Sequence, residues 1–426
     1  MSIIDQNRRR LIQALGASLL SGGAFAAPGR RRRLGRVVVI GAGFGGATAA
    51  KYLRKWSGGA IEVVLIERAD AFISCPTSNE VLGGNRDYGS LVHRYDALQK
   101  NWGIKVARAT VTAIDADKRR IRTDRAGQIV YDRLVIAPGV DLDFSAIAGY
   151  DARAEETILH AWKAGPQTLA LRRQLLDLPD GGVFVLTIPE APYRCPPGPY
   201  ERACQIAHYF KTRKPRAKLI VLDANEKIIS KTKLFADVWA SDYKDIIEYR
   251  PNWNAVEVDA ENRVVISEIG DRERADIINL VPPQSAGKIA HEAGVVNAND
   301  RWVAIDWVTM ESTAVPRIHV LGDATLAAPL MPKSGHIANQ HGKAAAAAIV
   351  EMLSGRQAQP IPMANTCYSL VDDRRAIHVD SVHRWNPEQK ELLVVEGSGG
   401  LSKEPSVQEG LFARAWARNI WADTLS

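Results

Sequence analysis

Arg36-Val37-Val38-Val39-Ile40-Gly41-Ala42-Gly43-Phe44-Gly45-Gly46-Ala47-Thr48-Ala49-Ala50-Lys51-Tyr52-Leu53 is the stretch on which the fold turns. Its apolar opening lacks polar alternation, as a parallel strand buried on both faces requires. Glycines at 41, 43 and 46 then lead into an alanine-rich helix. A second apolar strand, Ile61 to Ile66, follows and ends on Glu67. Gly41 permits a tight turn, Gly43 lets backbone amides approach a pyrophosphate at the positive end of the helix, and Gly46 lets helix and strand pack closely. A carboxylate at Glu67 can accept both ribose hydroxyls of an adenosine. The glycine fingerprint in its full strand, helix, strand and acid context predicts an adenine dinucleotide site, with FAD and NAD both open at this point.

Two later segments decide between them. Leu134-Val135-Ile136-Ala137-Pro138-Gly139 is an apolar strand that breaks at Pro-Gly, and Ile318-His319-Val320-Leu321-Gly322-Asp323 ends in Gly-Asp. With the first fingerprint they resemble the three FAD signatures of the glutathione reductase-like flavoproteins with two dinucleotide-binding domains. By that resemblance Asp323 binds the flavin ribitol. Pro332-Lys333-Ser334-Gly335 then opens a helix from about Ile337 to Leu353, whose N-terminal dipole suits negative charge on a flavin pyrimidine ring.

Between these segments lies a second α/β unit, with strands at Val183–Ile188 and Lys218–Asp223 and a helix from about Tyr200 to Lys211. Its first strand feeds Pro189-Glu190-Ala191-Pro192-Tyr193-Arg194-Cys195-Pro196-Pro197-Gly198-Pro199 where a second glycine fingerprint would stand. Proline has no N–H and a fixed φ, so this run offers no nest of amides to a pyrophosphate. It presents Cys195 instead. The expected class is α/β, with two Rossmann-like domains and a smaller C-terminal domain. The FAD domain is discontinuous, over 34–150 and 285–355. The NAD-like domain, 151–284, is degenerate, and residues 356–426 form the third unit.

The four cysteines are Cys75, Cys195, Cys204 and Cys367. None lies in CxxC or CxxCH, so neither a zinc ribbon nor a covalent c-type haem is expected on this chain, and no metal ligands are assigned. A chain of 426 residues rarely needs a disulfide staple, so a cysteine in a proline turn at a vacated cofactor position points to chemistry. Cys204, on the helix after Cys195, reads as a buried, inert thiol.

Four segments carry a resemblance: Ser74-Cys75-Pro76-Thr77-Ser78-Asn79-Glu80, Arg194-Cys195-Pro196-Pro197-Gly198-Pro199-Tyr200-Glu201-Arg202-Ala203, Met331-Pro332-Lys333-Ser334-Gly335 and Asn365-Thr366-Cys367-Tyr368-Ser369. They resemble the flavoprotein subunit of flavocytochrome c sulfide dehydrogenase, from about residue 36 to the C-terminus. The resemblance implies a periplasmic sulfide oxidase bound to a c-type cytochrome subunit that carries the haem. It implies FAD joined through its 8α-methyl to Cys75 as a thioether, and a Cys195–Cys367 redox disulfide beside the flavin. Ser74 and Pro76 depart from the family, which commonly has aromatic residues on either side of the flavin-linking cysteine. The cofactor-binding set is Gly41, Gly43, Phe44, Gly45, Gly46, Glu67, Arg68, Cys75, Val111, Ala137, Pro138, Gly139, Gly322, Asp323, Lys333, Ser334, Gly335 and Trp416.

The residues support that chemistry independently. A disulfide is an electrophile that hydrosulfide can attack like any thiolate, giving a persulfide and freeing the partner thiol. Either cysteine is open to attack on this reading. Cys195, just before a helix N-terminus, is expected to be stabilised as a thiolate. Glu201 reads equally as a general acid/base and as a first-turn glutamate answering the helix dipole. Three other functions compete: a sulfide:quinone reductase, for which the Leu411-to-Trp421 segment would supply an amphipathic membrane-facing helix; an NADH-driven disulfide reductase, disfavoured by the missing second fingerprint; and a non-catalytic flavoprotein partner of a cytochrome.

Composition narrows the partners. The net charge is +7, but residues 1–33 hold seven of the basic residues and a single acid, leaving +1 on the remaining 393. The folded body is therefore not basic, and no nucleic-acid partner is expected. Arg8-Arg9-Arg10-Leu11-Ile12, the apolar run to Ala27 and the small-x-small Ala24-Phe25-Ala26 read as a twin-arginine export signal over residues 1–26. No later segment reaches about 18 uninterrupted apolar residues, so no membrane span is expected.

Overall fold

The computed structural model describes residues 33–426. The twin-arginine signal and its cleavage site lie outside the described residues. The first part of the chain contains β1 (Gly35–Ile40), α1 (Phe44–Trp56), β2 (Ile61–Glu67), β3 (Lys105–Arg108) and β4 (Arg133–Ile136). The middle contains β5 (Val183–Ile188), α2 (Gly198–Arg213), β6 (Lys218–Asp223), α3 (Thr232–Asp242), β7 (Ile247–Arg250) and β8 (Ile277–Leu280). β9 (Ile318–Val320) and α4 (Gly335–Leu353) follow, and β10 (Met363–Leu370), β11 (Ala376–Asn386), β12 (Glu391–Val394) and α5 (Val407–Leu425) end the chain.

Two parallel sheets organise these elements. The first has the order β9-β4-β1-β2-β3, so a strand from residue 318 onward completes a sheet begun at residue 35. The second, β7-β6-β5-β8, is inserted between them in sequence. Val37, Val38 and Val39 are fully buried on both faces of the first sheet, each contributing about 2 kcal/mol of transfer free energy. This accounts for the unbroken apolar run in the sequence. The helix expected from Tyr200 to Lys211 is longer, because Gly198 and Pro199 form its first turn, where a missing proline N–H costs nothing.

The C-terminal strands form an antiparallel sheet, β10-β11-β12. α5 docks on α1 and α4 through Asp423 and Thr424: Asn339 donates to the Asp423 carboxylate at 2.9 Å, and Lys51 donates to the Asp423 carbonyl at 2.8 Å. Ala413, Ala417, Ile420 and Trp421 face inward, leaving Val407, Leu411 and Phe412 as the exposed large apolar side chains of this helix. No helix among the described residues is long and apolar enough to cross a membrane.

Candidate active site

Gly41 has φ +90°, and a Cβ there would lie 2.4 Å from the Ala137 carbonyl oxygen. Only glycine fits this crossing of the first turn with the Pro-Gly turn. Beside it opens a cavity of about 800 Å³, a size suited to a large cofactor. Gly41, Gly43, Phe44 and Gly45 form one wall. Glu67, Arg68, Val111, Ala137, Pro138 and Gly139 line the same end. The Glu67 carboxylate accepts from Ala42 N at 2.8 Å and from Ala69 N at 2.9 Å, which fixes it at the strand end.

Gly322, Asp323, Ser334, Gly335 and Trp416 line the same cavity. Asp323 Oδ1 is buried without a hydrogen-bond partner, and burial raises its carboxyl pKa. A buried carboxylate oxygen is costly to leave unpaired, so this one fits a hydroxyl-bearing ligand chain. The glycine turn, Asp323 and the α4 N-terminus, where Gly335 packs against the Phe44 ring, bring to one cavity the groups that FAD would need. At that N-terminus Ser334 Oγ accepts from Ile337 N at 3.1 Å.

Two residues assigned to the cofactor stand elsewhere. Gly46 is not in the cavity wall: a Cβ there would meet Gly41 O at 1.9 Å, so its role is to let helix and turn approach. The Lys333 side chain also points away. Its ammonium donates to the carbonyls of Asp323 and Thr325 and lies 3.6 Å from the centre of the Trp302 ring. Burial draws its pKa down to about 7, with the Asp323 carboxylate opposing the fall and Arg301 adding to it. Its backbone carbonyl holds Cys195 N at 2.8 Å, so Lys333 positions the cysteine turn.

Cys75, Cys195 and Cys367 all line the cavity. All four cysteines are free thiols in the structure. Cys195 sits in the left-handed region at φ +59°, held by the Lys333 bond and by Gly198 N donating to Cys195 O at 2.8 Å. A Cβ at Gly198 would lie 3.0 Å from both Cys195 Sγ and the Trp162 ring. Cys367, on β10 opposite Val379, donates to Asn365 Oδ1 at 3.5 Å. Ser74 donates to Pro76 O and accepts from Trp421 Nε1, both at 2.9 Å. The departures flanking Cys75 thus tie its loop to α5. Cys204 is buried against Trp239 Nε1 at 3.2 Å and does not line the cavity.

Glu201 lies in the first turn of α2 and in the cavity wall. It accepts from Leu370 N and from Asn79 Nδ2, each at 2.8 Å. Burial raises its pKa, and those hydrogen bonds oppose the rise. The thiolate expected at Cys195 is corrected: burial, then Cys367 and Glu201, push its pKa well above the ordinary thiol value, and Arg194 and Lys231 offset this only partly. Burial also raises Cys367, with the Lys231 ammonium the foremost opposing influence.

Four residues here escaped the sequence reading. Arg194, in the cavity wall, acts electrostatically on Cys75, Asp323 and Cys195; its place beside Cys195 was the available signal. Asn79 bridges Glu201 and the Arg202 guanidinium, which is itself buried over Trp162 and donates to Asn279 at 2.8 Å. Lys231 comes from an unremarkable loop and carried no signal.

The second nucleotide position is filled by the protein. Asp223, at the end of β6, accepts from Tyr200 OH at 2.8 Å, Tyr249 OH at 3.0 Å and Asn225 N at 2.9 Å. An acid that would face a ribose is thereby satisfied internally.

Family models match the chain in three parts, the first two overlapping and the third separate. The model of the pyridine nucleotide-disulphide oxidoreductases matches residues 35–176. That of the sulfide dehydrogenase (flavocytochrome c) flavoprotein chain, central, matches 168–282. The flavocytochrome c sulphide dehydrogenase flavin-binding model matches 359–425. The chain is 59% identical over 46 residues to the sulfide dehydrogenase (flavocytochrome c) flavoprotein chain of Chlorobaculum thiosulfatiphilum, covering 94% of that sequence and 11% of this one. A mitochondrial sulfide:quinone oxidoreductase of Mus musculus is 24% identical over 68% of this chain, which spans 65% of that relative's length. The sulfide:quinone oxidoreductase of Aquifex aeolicus shares the fold, with a TM-score of 0.74 at 19% identity over 91% of both chains. The two flavocytochrome-specific matches fall on the unit that carries Cys195 and on the unit that carries Cys367, and with the FAD-domain match they show that the chain belongs to the flavocytochrome c sulfide dehydrogenase flavoprotein family.

Proposed function

We propose that this chain oxidises sulfide to sulfur or polysulfide at Cys195 and Cys367, with FAD attached through Cys75, and passes the electrons to a c-type cytochrome subunit in the periplasm after twin-arginine export. One observation carries the reading: Cys195 and Cys367, 172 positions apart in sequence, line with Glu201 the same cavity as the glycine turn and Asp323.

In the oxidised pair, hydrosulfide forms a bond to one sulfur and the Cys195–Cys367 bond breaks, leaving a persulfide and a thiolate. A second hydrosulfide takes the outer sulfur away, and the protein is left as a dithiol. Bound FAD supplies the acceptor for the electron pair of that dithiol and its release in single steps to a haem. Glu201, with a pKa raised by burial, is placed to hold and pass the protons that the thiols gain and lose. Arg194 and Arg202 supply positive charge around the sulfurs.

Trp416 lines the cavity and Trp421 is buried against Ser74, so the two tryptophans of α5 are turned inward while Leu411 and Phe412 stay exposed; re-oxidation of the reduced flavin distinguishes a cytochrome from a quinone as acceptor.

The test is anaerobic addition of sulfide to the purified holoprotein. The flavin is expected to bleach, and to recover its colour with a c-type cytochrome but not with a quinone analogue. Cys195→Ser and Cys367→Ser should abolish bleaching by sulfide, and retained turnover in either sinks the mechanism. A denatured intact mass heavier by FAD checks the thioether.

A further inference from the structure

Lys231 is a buried lysine that the mechanism above leaves unused. It precedes α3 in the left-handed conformation, at φ +53°, and is 4% exposed. Its ammonium donates to Ser369 Oγ at 2.7 Å. Ser369 takes only one of three N–H donors, and an ammonium held away from water is costly unless a counter-charge compensates it.

The strand geometry shows where that charge arises. Cys367 and Ser369 are two residues apart on β10, so their side chains share one face. The groups acting most strongly on Lys231, after burial itself lowers its pKa, are Cys367, Glu201, Cys195 and then Glu409 of α5. The two cysteines are not equivalent. At Cys367 the foremost influence after burial is Lys231, which opposes it with Asn365 and Ser334 while Glu201 adds to it, whereas at Cys195 Cys367 and Glu201 add to burial ahead of the opposing Arg194 and Lys231.

A nucleophile opening a disulfide expels the sulfur whose anion is better stabilised. We propose that Lys231 is the positioning residue that sets the direction of opening: tethered by Ser369 to the face of β10 that carries Cys367, it receives the Cys367 thiolate, so that hydrosulfide attacks Cys195. This rests on the sulfide-oxidising reading above. Atoms and electrons balance within the step. The hydrosulfide sulfur bonds to Cys195 Sγ and keeps its hydrogen, the Cys195–Cys367 bond breaks, the sulfide sulfur is oxidised to the persulfide level and Cys367 leaves as the reduced thiolate.

Two measurements on the holoprotein test this. In the first, the oxidised protein receives one equivalent of sulfide, is trapped with an alkylating agent and is mapped by peptide mass. The persulfide is expected on Cys195 with Cys367 singly alkylated. In the second, alkylation of the reduced protein is followed against pH, and Lys231→Met should raise the Cys367 midpoint by about one unit or more, with Lys231→Arg restoring it. If Lys231→Met does not fold, Ser369→Ala keeps the ammonium and removes its tether, and a raised Cys367 midpoint is again expected. A persulfide on Cys367 in the parent, or an unmoved Cys367 midpoint in the variants, overturns the assignment alone. Absence of persulfide from both cysteines overturns the sulfide reading as well.

Discussion

Acid should unfold this protein through three buried histidines. His160 accepts from Trp162 N at Nδ1 and faces Glu155 through Nε2. His341 accepts from Gly322 N at 3.1 Å, and its Nε2 is buried without a partner. His319 meets the Thr309 carbonyl at 2.8 Å, again with an unpartnered Nε2. Burial, foremost, draws their pKa values from 6.5 to about 3, about 3 and about 4 respectively. The folded state thus holds each ring neutral while the unfolded chain protonates it below 6.5. The stability this contributes is complete above pH 6.5 and is lost as the pH falls towards 3 to 4. At pH 5 the loss is about 2 kcal/mol per histidine and about 6 kcal/mol for the three, against a total stability of about 5–15 kcal/mol for a typical protein. Asp323 and Glu201, raised by burial, act in the opposite sense and reduce the net loss. His341→Gln isolates one ring, because its amide oxygen can still accept from Gly322 N. Urea unfolding followed by tryptophan fluorescence at pH 7, 6 and 5 should show the variant losing about 2 kcal/mol less than the parent over that range. In the parent, flavin fluorescence should rise with the loss, since Gly322 precedes Asp323 in the cavity wall. Equal pH dependence in parent and variant would refute the reasoning.

The remaining predictions concern the cofactor, the acid and the closed second site. Gly43→Ala finds open space, whereas Gly46→Ala meets Gly41 O at 1.9 Å; the first should keep its melting temperature and incorporate less flavin, and the second should melt lower and incorporate less flavin. Asp323→Asn removes a buried charge, so the apoprotein should melt higher while FAD affinity falls, by about tenfold or more where a charged hydrogen bond is lost; titration calorimetry with FAD checks this in a Cys75→Ser background, where no thioether can form. Glu201→Gln turns an amide towards Asn79 Nδ2, so sulfide-dependent flavin reduction should slow by about 100-fold in stopped-flow, with flavin content unchanged. NADH should leave the flavin spectrum unaltered, because Tyr200, Tyr249 and Asn225 already occupy Asp223.

Much of the fold was legible because its signals are local. The glycines of the first turn, the Pro-Gly break after Ile136, the Gly-Asp at 322–323 and the proline run before Cys195 each limit φ or remove an N–H within a few residues. Such limits are written in adjacent letters. The three cavity-lining cysteines and Glu201 were legible through the specificity of their motifs. Lys333 was misplaced for the same reason: its motif is part of the site, but the side chain turns onto Trp302 while the backbone carbonyl holds Cys195.

What the sequence by itself determined is the succession of strands and helices along the chain, the dinucleotide turn and the loss of the second glycine fingerprint, and it singled out the cysteines that line the cavity. Only the tertiary structure decided which groups surround those sulfurs. Asn79 reaches Glu201 and Lys231 reaches Ser369, two residues from Cys367, across more than a hundred positions of chain, because the packed elements bury their apolar faces against one another. That burial also reversed the expectation for Cys195. A helix N-terminus acts over one turn and can be read from sequence, but desolvation sums over every atom that excludes water, and here it outweighs the helix.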